Sequence, residues 1–259
     1  MSPEMGGAAD IVAGVVHGEQ PSLGAAAAYK RMHAGFEARC WNIRELLTAR
    51  ALGWSGKEVA TVFANSPGAM QLLPTKRYPA KWLRIQAEKG VNLLELPESN
   101  PYSEIYAIRD KWWRLMTPEW IEPKGKPQPA KILDSVWDFY IERLGLVEKF
   151  HDTLGDYYHD TTHSHYGADE DFKAWKNISW QLEKRNTSQY EWPNVPPPEV
   201  TTDALIAEYV ESNALGKITI RLGAAESNYK LSKPDTPGDG TVPECSGYDS
   251  AITGSVRLA

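Results

Sequence analysis

The stretch Gly238-Asp239-Gly240-Thr241-Val242-Pro243 constrains this chain more than any other. Glycines on both sides of a single carboxylate supply the backbone freedom of a sharp turn, and the β-branched pair Thr241-Val242 resumes extended structure. The segment follows the polar run Lys233 to Pro237, where a loop leaves a strand. A plain surface turn also uses Asp-Gly. Turn chemistry alone, however, asks for nothing like Thr-Val-Pro afterwards. Asp239 is therefore the candidate catalytic acid. Asp235 is a weaker one, because no glycine pair brackets it.

At 259 residues and 42% hydrophobic, the chain is long enough for one sizeable core or two small ones. A net charge of -6 argues against nucleic acid, which asks for a basic face. The longest small apolar run, Gly24 to Ala28, is far short of a membrane span. No basic n-region opens the chain, and Glu4 and Asp10 interrupt its early apolar character, so no secretory signal is read here. The expected location is the cytoplasm of the producing cell. Cys40 and Cys245 are too few for a disulfide framework, although a single bridge stays open. Neither a P-loop nor G-x-G-x-x-G occurs, and no cofactor is assigned. Ten tryptophans and twelve tyrosines are a heavy aromatic load, suited to cores and equally to acyl-chain pockets.

Ile11 to Val16 is an apolar run followed by the polar loop His17 to Pro21, the pattern of a buried parallel strand with its loop at the carboxyl edge. Ala25 to Leu52 reads as one or two helices. Ser55-Gly56-Lys57-Glu58 has the form of a capping box, with a helix that Pro67-Gly68 breaks. Residues 75 to 131 read as irregular and aromatic. Asp134 is placed to cap an amphipathic helix with Val136, Phe139, Tyr140, Leu144 and Val147 as its stripe. Asp203 opens a predicted short helix through Tyr209, and Ile218 to Ile220 alternates like a strand.

The Gly238 to Pro243 string resembles the catalytic-acid loop of α/β-hydrolase lipases of the lecithin–cholesterol acyltransferase and GPI-inositol-deacylase type. Gly14-Val15-Val16-His17-Gly18 with Pro21, Ala28 to Met32, Gly35-Phe36-Glu37, Asn65 to Gly68 and Leu72 to Lys76 look like bacterial lipases related to the inositol deacylases. Some of these are type VI secretion phospholipase effectors. The resemblance spans most of residues 10 to 247. It implies an α/β fold, a partial α/β-hydrolase with a mostly parallel sheet and a large helical cap or lid insertion. Residues 1–23 would be the central strand and active-site-edge loop, 24–192 the cap, and 193–259 the rest of the core with the acid loop.

It also implies a carboxylic-ester hydrolase of lipase or phospholipase type acting by serine acyl transfer, with Asp239 supporting the catalytic histidine. The nucleophile of this fold sits in a G-x-S-x-G elbow, and triad order is nucleophile, acid, histidine. No G-x-S-x-G occurs in these residues, Gly53-Trp54-Ser55-Gly56 falls one residue short, and every histidine precedes Asp239. The nucleophile is thus expected before residue 1 and the histidine beyond 259. The expected partners are a lipid or acyl-ester substrate and an N-terminal half or secretion-apparatus component. Export would follow a signal-independent route.

Other residues carry a functional and a plain reading side by side. His17, at a strand end, is placed to touch substrate or to act as a hydrogen-bonded structural histidine. Tyr29, Met32 and Phe36, at helical spacing, suit either an acyl-facing lid or plain core. Lys30 and Arg31 beside them suit a phospholipid headgroup or a solvated face. His151, Asp152, Asp156, His159, Asp160, His163, His165, Asp169 and Asp171 are rich in metal-ligand types, yet their spacing matches no metal motif, and no metal is assigned. A non-enzymatic binding or assembly protein on a hydrolase-like scaffold is the second reading, and a metal-dependent enzyme the third.

Overall fold

A computed structural model describes residues 11–37, 43–87, 90–122, 129–186, 207–222, 225–249 and 257–258. The architecture is mixed α/β. In chain order, strand β1 (Val15–Gly18) precedes helices α1 (Ala27–Ala34), α2 (Ile43–Leu52), α3 (Gly56–Ala64) and α4 (Pro67–Met70). The hairpin β2 (Leu83–Gln86) and β3 (Asn92–Leu96) follows, then a π-helical turn at Tyr102–Tyr106, α5 (Pro118–Ile121) and the long α6 (Ala130–Leu154). Strands β4 (Thr162–His165), β5 (Asp169–Ala174), β6 (Ile178–Asn186), β7 (Glu208–Ser212), β8 (Lys217–Leu222), β9 (Ala225–Leu231) and β10 (Thr236–Gly238) come next. Helix α7 (Glu244–Gly247) and β11 (Arg257–Leu258) complete the described chain. No described helix is long and apolar enough to cross a membrane.

Local chemistry sets the helix boundaries. Gly35 ends α1 with φ 75°, a left-handed conformation that a side chain resists. Phe36 therefore leaves the face that Tyr29 and Met32 share. Ser55 caps α3 through its hydroxyl while Glu58 reaches back to the Ser55 amide, so the capping box forms as read. Pro67 does not break α3, which stops at Ala64; it starts α4, where its missing N–H costs nothing. Helix α6 begins at Ala130 behind Pro129, a turn before Asp134, whose carboxylate pairs instead with Arg109 at 2.7 Å. Its buried stripe is Trp137, Tyr140, Leu144 and Val147. At 100° per residue that face admits Trp137 and leaves Phe139 in solvent, where Arg143 lies 5.8 Å from its ring.

The larger sheet runs β3-β2-β6-β9-β8-β7, antiparallel except for the β2–β6 pair. Trp82, Trp112, Trp180, Tyr229, Ile218 and Ile220 are buried in the core, and Trp112 meets Trp180 and Tyr229 at 6.1 and 5.0 Å between ring centroids. Here most of the aromatic load is spent. The hairpin β2–β3 falls inside the segment read as irregular. Residues 208–209, read as the end of a helix, belong to β7, where Glu208 and Tyr209 register with Arg221 and Ile220 of β8. Residues 203–206 lie outside the described residues. Residues 24–192 thus carry α1 to α6 together with β2 to β6, and β6 shares a sheet with β7 to β9.

The smaller sheet is parallel, in the order β1-β4-β11. Its β1 differs from the buried central strand expected at Ile11. The strand starts only at Val15, alternates in burial, and leaves Val16 69% and Ile11 87% exposed. Alternation means one covered face, not two. Nor is β1 beside the strand that leads to Asp239. Its neighbour is β4, whose close passage needs Gly14, since a Cβ there would stand 2.9 Å from the Thr161 carbonyl oxygen. The strand before Asp239, β10, pairs with β5 in a separate antiparallel ribbon.

Candidate active site

The loop after β10 turns within a few residues. Gly240 adopts φ 91° and Gly238 passes so close to Val242 that a Cβ would lie 2.4 Å from its carbonyl oxygen. Both glycines of the motif are therefore required by geometry. Asp239 Oδ1 accepts hydrogen bonds from the Thr241 and Val242 amides, each 2.7 Å long. Two donors on one oxygen fix the plane of the carboxylate. Among the described residues Oδ2 accepts no such bond. The loop is pinned by Gly240 N–H donating to the Phe172 carbonyl at 2.9 Å and by buried Val242.

Its position follows from another glycine. Gly167, two residues beyond the carboxyl end of β4, lies against Asp239, and a Cβ there would be 2.8 Å from that of Asp239. The loop leaving β1 arrives at the same edge, because Glu19 N–H donates to the His165 carbonyl at 2.9 Å. Ser246 in α7 is fully buried, and its hydroxyl accepts from the Leu23 amide at 3.0 Å. The carboxyl edge of a parallel sheet is where α/β proteins place their chemistry. Asp239 and the His17 loop are both gathered there.

His17 packs edge-on to Tyr158 at 5.9 Å between centroids. Tyr158 donates its hydroxyl to Asp249 Oδ2 at 2.8 Å, and Arg77 Nη2 donates to Asp249 Oδ1 at 3.0 Å. Burial, with the bond to Asp249 adding to it and one to Ser22 opposing, pushes the Tyr158 hydroxyl up to about 12. It stays protonated and donating at neutral pH. A small cleft opens here between His17, Gln20, Ser22, Phe150, Leu154 and Tyr158. Asp249, only 7% exposed, is a second carboxylate at this edge that sequence reasoning missed. No motif brackets it, and its partners Arg77 and Tyr158 are far away in sequence.

The other candidates lie elsewhere. Tyr29 and Met32 are fully buried in the core. The Tyr29 hydroxyl donates to the Trp113 carbonyl at 2.8 Å and accepts from Trp180 Nε1 at 2.9 Å, the partners of a packed core side chain. Phe36 is half-buried beneath the Arg31 guanidinium, 4.5 Å from its ring. Lys30 and Arg31 are not a free cationic face: Lys30 reaches Glu37 Oε1 at 2.8 Å and Arg31 reaches Oε2 at 3.0 Å. Burial alone would raise the Glu37 carboxyl, but the two cations outweigh it and hold it below its ordinary value.

The histidine- and aspartate-rich segment disperses. His151 meets the Tyr102 hydroxyl and the Gln71 carbonyl, Asp152 pairs with Lys76, and His159 Nδ1 accepts from the Thr161 amide. Asp169 Oδ1 accepts from the Asp171 amide in a local turn. Among the described residues no three His, Cys, Asp or Glu side chains converge as metal ligands. Cys245 is a free thiol, while Cys40 lies outside the described residues.

No protein-family model and no curated protein matches the chain. Among solved structures, a chain in the crystal structure of the Tle4-Tli4 complex matches with a TM-score of 0.67 and 24% identity. The match covers 95% of this chain and 47% of that one. The likeness is one of fold. This chain spans about half the length of its solved neighbour.

Proposed function

We propose that this chain is the cap and catalytic-acid portion of an α/β-hydrolase lipase or phospholipase that works by serine acyl transfer. The observation that carries the reading is the Asp239 loop. One carboxylate oxygen is spent on two amides, and the loop stands against Gly167 at the carboxyl edge of the parallel pair β1–β4. The fold likeness to a chain about twice as long supports a larger parent protein. The nucleophilic serine and the histidine belong, on this reading, to the rest of that protein. So do the strands that would pair with the side of β1 that has no neighbour among the described residues and cover Val16.

In the assembled site Asp239 accepts the Nδ1–H of the histidine and so presents Nε2 to the serine hydroxyl. The histidine takes the serine proton as Oγ attacks the ester carbonyl, then gives it to the departing alcohol. Asp239 stabilises the imidazolium between these steps and keeps its own charge throughout. The substrate is an acyl ester or lipid. A protein partner belongs to the reading, since the solved neighbour is part of a two-protein complex. Cytoplasmic synthesis and signal-independent export complete it.

The test is to express residues 1–259 alone and complemented with the segments that on this reading flank it, an N-terminal half carrying the serine and a C-terminal extension carrying the histidine, and to assay p-nitrophenyl acyl esters and phospholipids. The chain alone should show no more than a trace, because nucleophile, base and acid act as a unit. The complemented enzyme should turn over, and Asp239→Ala should lower kcat about 10⁴-fold. Robust turnover by residues 1–259 alone, indifferent to Asp239→Ala, would overturn the assignment. The second reading, a binding or assembly protein, is favoured by the lack of G-x-S-x-G and of any histidine after Asp239. A complemented protein without turnover would establish it.

A further inference from the structure

Beside the backbone bond from Gly240 to Phe172, one long-range side chain among the described residues ties the acid loop to the body of the protein. Arg31, in the last turn of α1, donates from Nη2 to Thr241 Oγ1 at 2.9 Å, across 210 positions of sequence. The same guanidinium holds Glu37 Oε2 from Nε at 3.2 Å and Nη2 at 3.0 Å, and stacks on Phe36. Lys30 takes the other Glu37 oxygen at 2.8 Å and the Gly35 carbonyl at 3.1 Å. Arg31 is thus locked on three sides, with its side chain 13% exposed. The planar guanidinium presents its donors to Glu37 and Thr241 in one fixed geometry while its face lies on Phe36.

The tether meets the loop where it matters. Thr241 is the residue whose amide, with that of Val242, holds Asp239 Oδ1. Backbone bonds from Asp239 N–H to the Val242 carbonyl and from Gly240 N–H to the Phe172 carbonyl shape the turn, and Arg31 adds a side-chain tie to it. Among the described residues, Arg31 is the one side chain outside the loop that bonds to residues 239–242.

We propose that Arg31 is a positioning residue for the candidate catalytic acid: through Thr241 it keeps Asp239 Oδ1 on the two amides, leaving Oδ2 as the oxygen that orients the histidine. This rests on the hydrolase reading of Asp239. The Lys30-Arg31-Glu37 group is then no headgroup site. It is a clamp that makes the geometry of the acid depend on α1, and movement of α1 relative to β10 would loosen the carboxylate.

Two measurements test this separately. The first is amide exchange at Thr241 and Val242 in the 259-residue chain, and it needs no catalysis. Arg31→Met and Thr241→Val should each speed it about tenfold, the worth of one charge-assisted hydrogen bond. The double variant should be no faster than either single one, Thr241→Ser should exchange like the parent, and α3 amides should be unchanged. If Arg31→Met fails to fold, the Thr241→Val and Thr241→Ser pair decides alone. Unchanged exchange in Thr241→Val, or additive effects in the double variant, would overturn the tether.

The second measurement uses the complemented enzyme, where Arg31→Met and Thr241→Val should lower kcat about tenfold at constant KM, again without adding. Fast exchange with undiminished kcat, in an enzyme that Asp239→Ala disables, would overturn the positioning role. An enzyme indifferent to Asp239→Ala would remove the catalytic meaning of the clamp, with the exchange result standing as a property of the fold.

Discussion

The two sheets of this protein are built on different terms. In the larger one, large side chains face inward and meet each other: Trp180 packs on His33 and Trp112, and Ile218, Ile220 and Tyr229 close the layer. In the parallel one the buried positions of β4 are Thr162 and Ser164, while Val16 of β1 points out, in register with His163. Burial of apolar area drives folding at about 25 cal/mol per Å². The large sheet collects most of that term and the parallel sheet little of it. Yet the parallel sheet carries the candidate acid at its edge. Burial favours one sheet, and the proposed chemistry lies beside the other.

Core truncation should separate the two most strongly. Trp180→Ala removes a fully buried indole and one of the two hydrogen bonds of the Tyr29 hydroxyl, so it should cost about 3–5 kcal/mol of unfolding free energy. Val16→Ala should stay within about 0.5 kcal/mol, the range of an exposed site. Urea titration of both variants gives the comparison. A Val16→Ala cost near that of Trp180→Ala would mean that the parallel sheet is buried in solution.

The same contrast explains what was legible in the sequence. The capping box at Ser55 and the turn around Asp239 were readable because each is fixed by neighbours a few positions away. The stripe of α6 was readable to within one aromatic. Phe139 and Trp137 are both large aromatic side chains, and the neighbouring elements decide which is covered. The run Ile11 to Val16 misled, since apolar composition gives strand character but not whether both faces are covered. The strand β7 was hidden because its pairing with β8 overrides the weak helical signal before Tyr209. Asp249 and the Arg31–Thr241 tether were invisible in principle, being made by residues far apart in the chain.

A pH titration sharpens the comparison from the side of the large core. His33 lies fully enclosed there, 4.6 Å from Tyr29 and 5.3 Å from Trp180 between ring centroids, and its Nε2 donates to the Arg114 carbonyl at 3.0 Å. Burial disfavours the charged imidazolium, outweighs that hydrogen bond, and pushes the ring down to about 3. The unfolded chain, titrating near its ordinary value of about 6.5, therefore binds more protons between those limits. Stability should be full above pH ~6.5 and fall with acidification, with a slope reaching about 1.4 kcal/mol per pH unit from this group. Denaturant midpoints measured from pH 7 to 4 should show that slope, and His33→Gln should flatten it. An identical profile in His33→Gln would place the acid sensitivity elsewhere.

The smallest expected effect on stability is also the one that bears most directly on how the parallel sheet is completed. Val16→Lys puts a charge on the exposed face of β1, beside an edge that has no partner strand among the described residues. Charged side chains on such edges are a common guard against edge-to-edge association. For residues 1–259 alone, the unfolding free energy should move by no more than about 0.5 kcal/mol, and light scattering should show less self-association. With the N-terminal half present the sign should reverse. A further strand on β1, with a helix laid over that face, would bury residue 16, and an unpaired ammonium there costs far more than it does in water. Val16→Lys should then weaken co-purification of the two halves and lower the turnover of the complemented enzyme, while Val16→Ile leaves both intact. Equal assembly by the Lys and Ile variants would mean that β1 stays at the surface of the whole protein, and that its exposed valine is a property of the finished sheet.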